Sequence, residues 1–140
     1  MECKVSWLGA GGMAFSAETG SGHLINMDGA PEAGGKNLAP RPMELLLAGA
    51  GGCSAFDVVL ILQRSRQSVS ACDVALQAER ATEDPKVFTK INLHFTVKGK
   101  DLDRAKVERA VKLSHEKYCS ATTMLAKTAE LTYSIEVISE

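Results

Sequence analysis

Two cysteines are the residues best suited to covalent chemistry. Cys53 sits inside a long apolar run, Met43 to Leu62, directly after Gly51-Gly52, and Cys119 follows in the stretch Lys117-Tyr118-Cys119-Ser120. The thiolate, not the thiol, is the nucleophile, so either residue needs surroundings that lower its pKa. Around Cys53, Gly49, Ala50, Gly51 and Gly52 strip the helix surface of side chains. Each glycine inside a helix costs about 1 kcal/mol against alanine, so several together imply close approach by another backbone or a ligand. Asp57, one turn later, works against reactivity. An unpaired carboxylate raises a neighbouring thiol, and a reactive Cys53 therefore requires a cation. Cys119 precedes an expected short helix from Ser120, whose free amides and dipole favour a thiolate. His115, a turn before it, could reach Cys119, although its plainer role is that of a helix-surface residue.

The other candidates are weaker. Cys3 and Cys72 fall on the apolar faces of expected strands, where cysteine behaves as a small hydrophobe. His94 shares the polar face of its strand with Lys90, Asn92 and Lys98, which places it in solvent. Two cysteines and scattered histidines show no recognised metal-ligand spacing, so no metal is expected. With 16 basic and 17 acidic residues, the chain carries no electrostatic footprint for nucleic acid or an anionic membrane. Met43 to Leu62 is long enough to cross a bilayer, but Glu44 and Asp57 lie within it, which argues against a span. Met1-Glu2-Cys3-Lys4-Val5 has no apolar signal-peptide core. The expected compartment is the cytosol, where four cysteines are reduced thiols rather than a disulfide framework.

The elements that must position these residues follow from periodicity. At 140 residues, 45% hydrophobic and 24% charged, the chain suits one domain with a sizeable core, residues 1–140. Cys3 to Leu8, Met13 to Glu18 and His23 to Met27 read as three strands, followed by a Gly/Pro-rich loop from Asp28 to Pro42. Pro42 suits the first helical position and Glu44 the electropositive first turn of the apolar helix, which ends in Gln63-Arg64-Ser65-Arg66. Val69 to Arg80 and Val87 to Lys98 alternate as strands across a turn at Glu83 to Lys86. Asp101 is placed to cap a helix with Val107, Ala110, Val111, Ser114 and Tyr118 on one face, and Ser120 to cap a short helix to Lys127. A last strand runs from Thr128 to Ile138. The order implies an α+β fold with antiparallel sheets. The first helix is apolar nearly all round, and a small sheet covers only one side of it, so a homodimer with this helix central is expected.

Residues 40 to 57, from Pro40-Arg41-Pro42-Met43-Glu44-Leu45 to Cys53-Ser54-Ala55-Phe56-Asp57, together with Tyr118-Cys119-Ser120, resemble the OsmC/Ohr family and within it the YhfA-like branch. The resemblance extends over nearly the whole chain. It implies an intertwined homodimer, with antiparallel sheets packed around two central helices and a thiol peroxidase site at each subunit interface. It also implies that Cys53 attacks a small-molecule hydroperoxide and becomes a sulfenic acid. Cys119 then condenses with it to a disulfide, which an external dithiol reductant reopens, with no bound cofactor. Such a cycle suits cytosolic cysteines because the disulfide is transient.

One part of the family pattern is missing. In the peroxidase branches an arginine from an N-terminal segment activates the thiol and is held by a glutamate directly after the helix-starting proline. Here no arginine precedes Arg41, and Met43 follows Pro42, with Glu44 one place further on. One residue turns a helix face by about 100°, so Glu44 need not do the same work. Arg41 lies a dozen residues before Cys53, roughly 18 Å along a straight helix. Arg41 and Glu44 are therefore either supporting residues that act across a dimer or a capping pair at the helix start. Two functions stay open. One is a thiol-dependent hydroperoxide reductase with Cys53 peroxidatic, Cys119 resolving, and His23, Lys36 or Arg41 as activator. The other is a non-enzymatic dimer that binds a small apolar or thiol-reactive ligand.

Overall fold

The computed structural model describes residues 1–140, and the chain forms two compact units, Met1–Leu47 and Ala48–Glu140. In the first, β1 (Cys3–Trp7), β2 (Phe15–Thr19) and β3 (Leu24–Met27) form an antiparallel sheet in that order. Cys3 pairs with Thr19, Trp7 with Phe15, and Phe15 with Met27. All of β1 is exposed, which corrects the reading of Cys3 as a core residue. Alternation places a residue on one face of a sheet, but burial requires something to cover that face. Ala17 is the unit's single buried apolar residue.

The loop after β3 is organised by a carboxylate rather than by a hydrophobic core. Asp28 is 2% exposed and accepts hydrogen bonds from the backbone N–H groups of Gly29, Lys36 and Leu38 at 2.8, 3.0 and 3.2 Å. The amides of Lys36 and Leu38 hold its carboxyl below the usual carboxylate value. Gly35 is needed here because a Cβ would run into the carbonyl of Gly29.

Helix α1 (Pro42–Arg64) starts in the first unit and continues through the second. Its boundaries follow the sequence closely, with Pro42 opening it, Glu44 in the first turn and Arg64 in the last. Arg66 adopts a left-handed backbone at φ 60°. The N–H groups of Gln67 and Arg66 turn back to the carbonyls of Leu62 and Gln63, closing the end in a Schellman motif without the usual glycine. Along α1 only Ala50, Gly51, Ser54, Val58 and Leu62 are buried. That is one narrow stripe at roughly four-residue spacing, while Leu46 and Phe56 remain 51% and 67% exposed. By length and composition α1 could cross a membrane; its buried stripe instead belongs to a packed core, in which Leu76 lies against Gly51.

The second sheet has the order β4-β5-β6. β4 (Ser68–Arg80) and β5 (Phe88–Lys100) are antiparallel, with Cys72 opposite Val97, Val74 opposite Phe95 and Leu76 opposite Leu93. β6 (Glu130–Ser139) runs parallel to β5, with Ile91 opposite Leu131 and Phe95 opposite Ile135. The sheet is therefore mixed, not antiparallel throughout as expected. Residue alternation is the same in both pairings, whereas direction depends on the return path, and here two helices carry the chain back to the start of β5. Ile91, Leu93, Phe95 and Val97 are at most 3% exposed, as their alternation predicted. Helix α2 (Arg104–Leu113) buries Val107, Ala110 and Val111 and packs on β6. Its cap is Asp103, whose side chain accepts from the Ala105 N–H at 2.9 Å. Asp101, expected to cap it, takes a left-handed turn at φ 51° two residues earlier. A π turn, Ser114–Tyr118, and a short α3 (Ser120–Leu125) complete the crossover.

A candidate two-cysteine active site

The crossover and α1 meet at the two cysteines. Cys53 Sγ, Cys119 Sγ and a carboxylate oxygen of Asp57 all lie within 4.8 Å of one another. Cys53 is half-buried and Cys119 is fully buried, at 0% exposure. The π turn leads directly into Cys119, whose N–H reaches back to the Ser114 carbonyl at 2.9 Å. Such widened turns are uncommon and concentrate at functional sites. Cys119, not Ser120, is the N-cap of α3. Its sulfur accepts the Thr122 N–H at 3.4 Å and the Ser54 hydroxyl at 3.3 Å.

These donors set the direction in which the Cys119 thiol shifts. Burial pushes its thiol up, but the hydrogen bonds from Ser54 and Thr122, with a further contribution from the Cys53 thiol, outweigh burial and hold it below its ordinary value. A hydrogen bond to the charged form favours that form. Cys53 has a looser partner, the Ser120 hydroxyl at 3.9 Å from its sulfur. Asp57 is paired, with Oδ2 accepting the Ser114 hydroxyl at 3.0 Å. Each of the three side chains thus has its own serine. By contrast Cys72 is half-buried, and burial, then Asp73, pushes its thiol up, as suits an inert core cysteine.

Ser54 and Thr122 carry no expectation from the sequence as sulfur donors, and Ser114 and Ser120 enter it only as a helix-face residue and a cap. Thr122 alone had a usable signal, three residues after Cys119, the spacing between an N-cap and the amide it accepts. His115 does not serve Cys119; its ring lies 5.0 Å from that of Tyr133.

A family model described as OsmC-like protein matches residues 34–134. This chain belongs to the OsmC-like family. Protein YhfA of Escherichia coli (strain K12) is 52% identical over 139 residues, covering 99% of each chain. The crystal structure of a hypothetical protein from Aquifex aeolicus VF5 is 31% identical, with a TM-score of 0.85 over 99% of this chain and 96% of that one. A Legionella pneumophila structure described as an organic hydroperoxide resistance protein OsmC shares 18% identity at a TM-score of 0.68, covering 98% of each chain. At that identity the likeness is one of fold.

In this OsmC-like chain the partners of the two sulfurs are hydroxyls, one amide and each other, and none is a cation. Arg41 and Glu44 pair with each other across one turn at 3.3 Å, with side chains 46% and 56% exposed. His23 bonds to Ser21 through Nδ1 at 3.0 Å. His94 bonds to Ser134 through Nδ1 at 2.7 Å and remains partly in solvent.

Proposed function

We propose that this OsmC-like protein is a thiol-dependent hydroperoxide reductase, a reading carried by the approach of Cys53 to Cys119. Accessibility favours Cys53 as the residue that meets the peroxide, since Cys119 is fully buried. The Cys53 thiolate takes the distal oxygen of ROOH, the O–O bond breaks, and the alkoxide collects a proton to leave as ROH. Cys53 is then a sulfenic acid. The Cys119 thiolate, favoured by Ser54 and Thr122, attacks the Cys53 sulfur, and hydroxide departs as the disulfide forms. An external dithiol returns two electrons and two protons through thiol–disulfide exchange.

The missing cation is the demand this reading makes. We place it on a second copy of the chain, because α1 leaves most of its apolar surface unburied and a homodimer would cover it. Arg41, His23 and Lys36 are the candidate activators in that arrangement, with Glu44 positioning Arg41. The names of the Legionella OsmC and of the Bacillus subtilis organic hydroperoxide resistance protein OhrB support the substrate class. The reduced thiols the cycle requires suit the cytosol. A second reading, ligand binding without turnover, is favoured by a cavity of about 510 Å³ whose lining includes Asp57, Leu60 and Ile61 and the cationic Arg64, Lys106 and Arg109.

Dithiol-coupled turnover of hydrogen peroxide and an alkyl hydroperoxide separates the two. Turnover that disappears in Cys53→Ser, with a sulfenic acid trapped in Cys119→Ser, is the expected result. No turnover with either substrate class would remove the enzyme reading and leave the binding one.

A further inference from the structure

Two side chains one turn apart on α1, Cys53 and Asp57, meet Cys119 from the crossover, and their chemistry exceeds what a two-thiol redox cycle uses. A disulfide cycle uses Cys53 and Cys119, with a cation to favour the thiolate, and has no task for a carboxylate beside them. Asp57 adds a negative charge beside two sulfurs, which by itself opposes thiolate formation. We propose that Cys53, Cys119 and Asp57 form a binding site for a thiophilic divalent cation, with Zn2+ as its ligand class. This assignment does not depend on whether the pair reduces peroxides.

The geometry is close to what such an ion requires. Zinc–sulfur bonds of about 2.3 Å and zinc–oxygen bonds of about 2.0–2.2 Å put the ligand atoms of a tetrahedral site roughly 3.5–3.8 Å apart. The three ligand atoms already lie within 4.8 Å of one another. A contraction of at most about 1.3 Å, within the range of side-chain rotation, closes the set around the ion. Two thiolates select a soft or borderline-soft cation over Mg2+ or Ca2+. A water takes the fourth position, so the site stays open and exchangeable.

A second observation points the same way. Metal ligands are oriented by hydrogen bonds from groups behind them, and each ligand here has its own hydroxyl. Ser54 donates to Cys119 Sγ at 3.3 Å, Ser114 donates to Asp57 Oδ2 at 3.0 Å, and the Ser120 hydroxyl lies 3.9 Å from Cys53 Sγ. A carboxylate accepts several bonds at once, so the Ser114 contact leaves Asp57 free to ligate. Binding displaces one proton from each thiol and leaves the cluster with a net charge of −1. The ion caps both nucleophiles. Metal and disulfide are therefore alternative occupants of the same sulfurs, and a bound ion protects the pair from oxidation.

The test uses the full-length, reduced Cys3→Ser, Cys72→Ser double variant, in which Cys53 and Cys119 are the remaining thiols. ZnCl2 is titrated against a competing chromophoric chelator, and CoCl2 is added separately to read sulfur-to-cobalt charge-transfer absorption. One ion per chain at micromolar or tighter affinity, with thiolate absorption, is expected. Asp57→Asn should weaken binding at least tenfold, and Ser114→Ala tenfold or more, as second-layer changes at metal sites typically do. Alkylation of Cys53 on the folded protein should abolish binding without depending on whether a cysteine variant folds. No binding at micromolar metal, or undiminished binding after alkylation or in a folded Asp57→Asn, would overturn the proposal. Peroxide turnover is measured separately, so failure of that activity leaves the metal result intact.

Discussion

The two compact units differ in how they are held together. In Ala48–Glu140 a continuous apolar core of Val58, Leu62, Leu93, Phe95, Val97, Val107 and Val111 is almost wholly shielded from solvent. In Met1–Leu47 the buried residues are Ala17 and Asp28, while Val5, Trp7, Leu8, Leu24 and Leu38 are all more than half exposed. Hydrogen-bonded pairing alone makes a sheet marginal in water; stability needs an apolar face packed on something. The first unit has the ladder and the organised Asp28 loop without the cover. In the proposed dimer, a second copy of the chain would supply that cover.

The sharpest way to break this contrast is to remove equivalent apolar groups from each unit. Phe95→Ala should cost about 3–5 kcal/mol and Leu62→Ala about 2–5 kcal/mol in denaturant unfolding, since each leaves a cavity in a closed core. Trp7→Ala and Leu24→Ala should change the unfolding free energy of the separated chain by only about 0.5 kcal/mol. In the proposed dimer, however, they should weaken self-association at least tenfold, as measured by analytical ultracentrifugation. Large losses for both sets in a monomer would erase the distinction.

A smaller effect concerns charge inside the second unit. Because the folded state lowers the Cys119 thiol, its contribution to stability is fully present above the unfolded-state pKa and is lost as pH falls through the folded value. Stability should therefore rise with pH across that window. Cys72, raised in the folded state, acts in the opposite sense, with its contribution lost as pH rises, so the profile is best taken in Cys72→Ser. Ser54→Ala removes a donor to Cys119 and should move its titration upward, seen as thiolate absorbance, and flatten the stability profile. An unchanged titration would mean that Thr122 and the Cys53 thiol hold the thiol down without Ser54.

The smallest expected difference lies between neighbouring glycines of α1. A Cβ on Gly52 meets nothing within 4 Å, so Gly52→Ala should stabilise the isolated chain by about 1 kcal/mol through helix propensity. A Cβ on Gly51 would lie 2.7 Å from Leu76 Cδ1. Displacing that side chain offsets the gain, so Gly51→Ala should be near neutral in thermal unfolding.

Much of the fold was legible because local signals agree with burial. Pro42 and Glu44 mark the start of α1, and the alternation of Ile91, Leu93, Phe95 and Val97 names the buried face of β5. Direction and partnership were not legible. Nothing local distinguishes a parallel β6 from an antiparallel one, although two intervening helices are what a parallel return requires. Asp101 and Asp103 are equally good caps by residue type, and only the left-handed turn at Asp101 passes the task to Asp103. For Cys3, alternation indicated a face but could not supply what would cover it.

The residue pattern by itself determined that Cys53 and Cys119 are the reactive candidates, that an apolar helix carries the first, and that the chain resembles the OsmC/Ohr family. Those properties depend on residue type and on spacing along one element, which short-range sterics and hydrophobic periodicity govern. Only the tertiary structure decided that Cys119 joins Cys53 and Asp57, and that each of the three has a serine of its own. Those contacts join residues more than fifty positions apart. They exist because the crossover after β5 folds back onto α1, and no local preference encodes where a returning chain will place its hydroxyls.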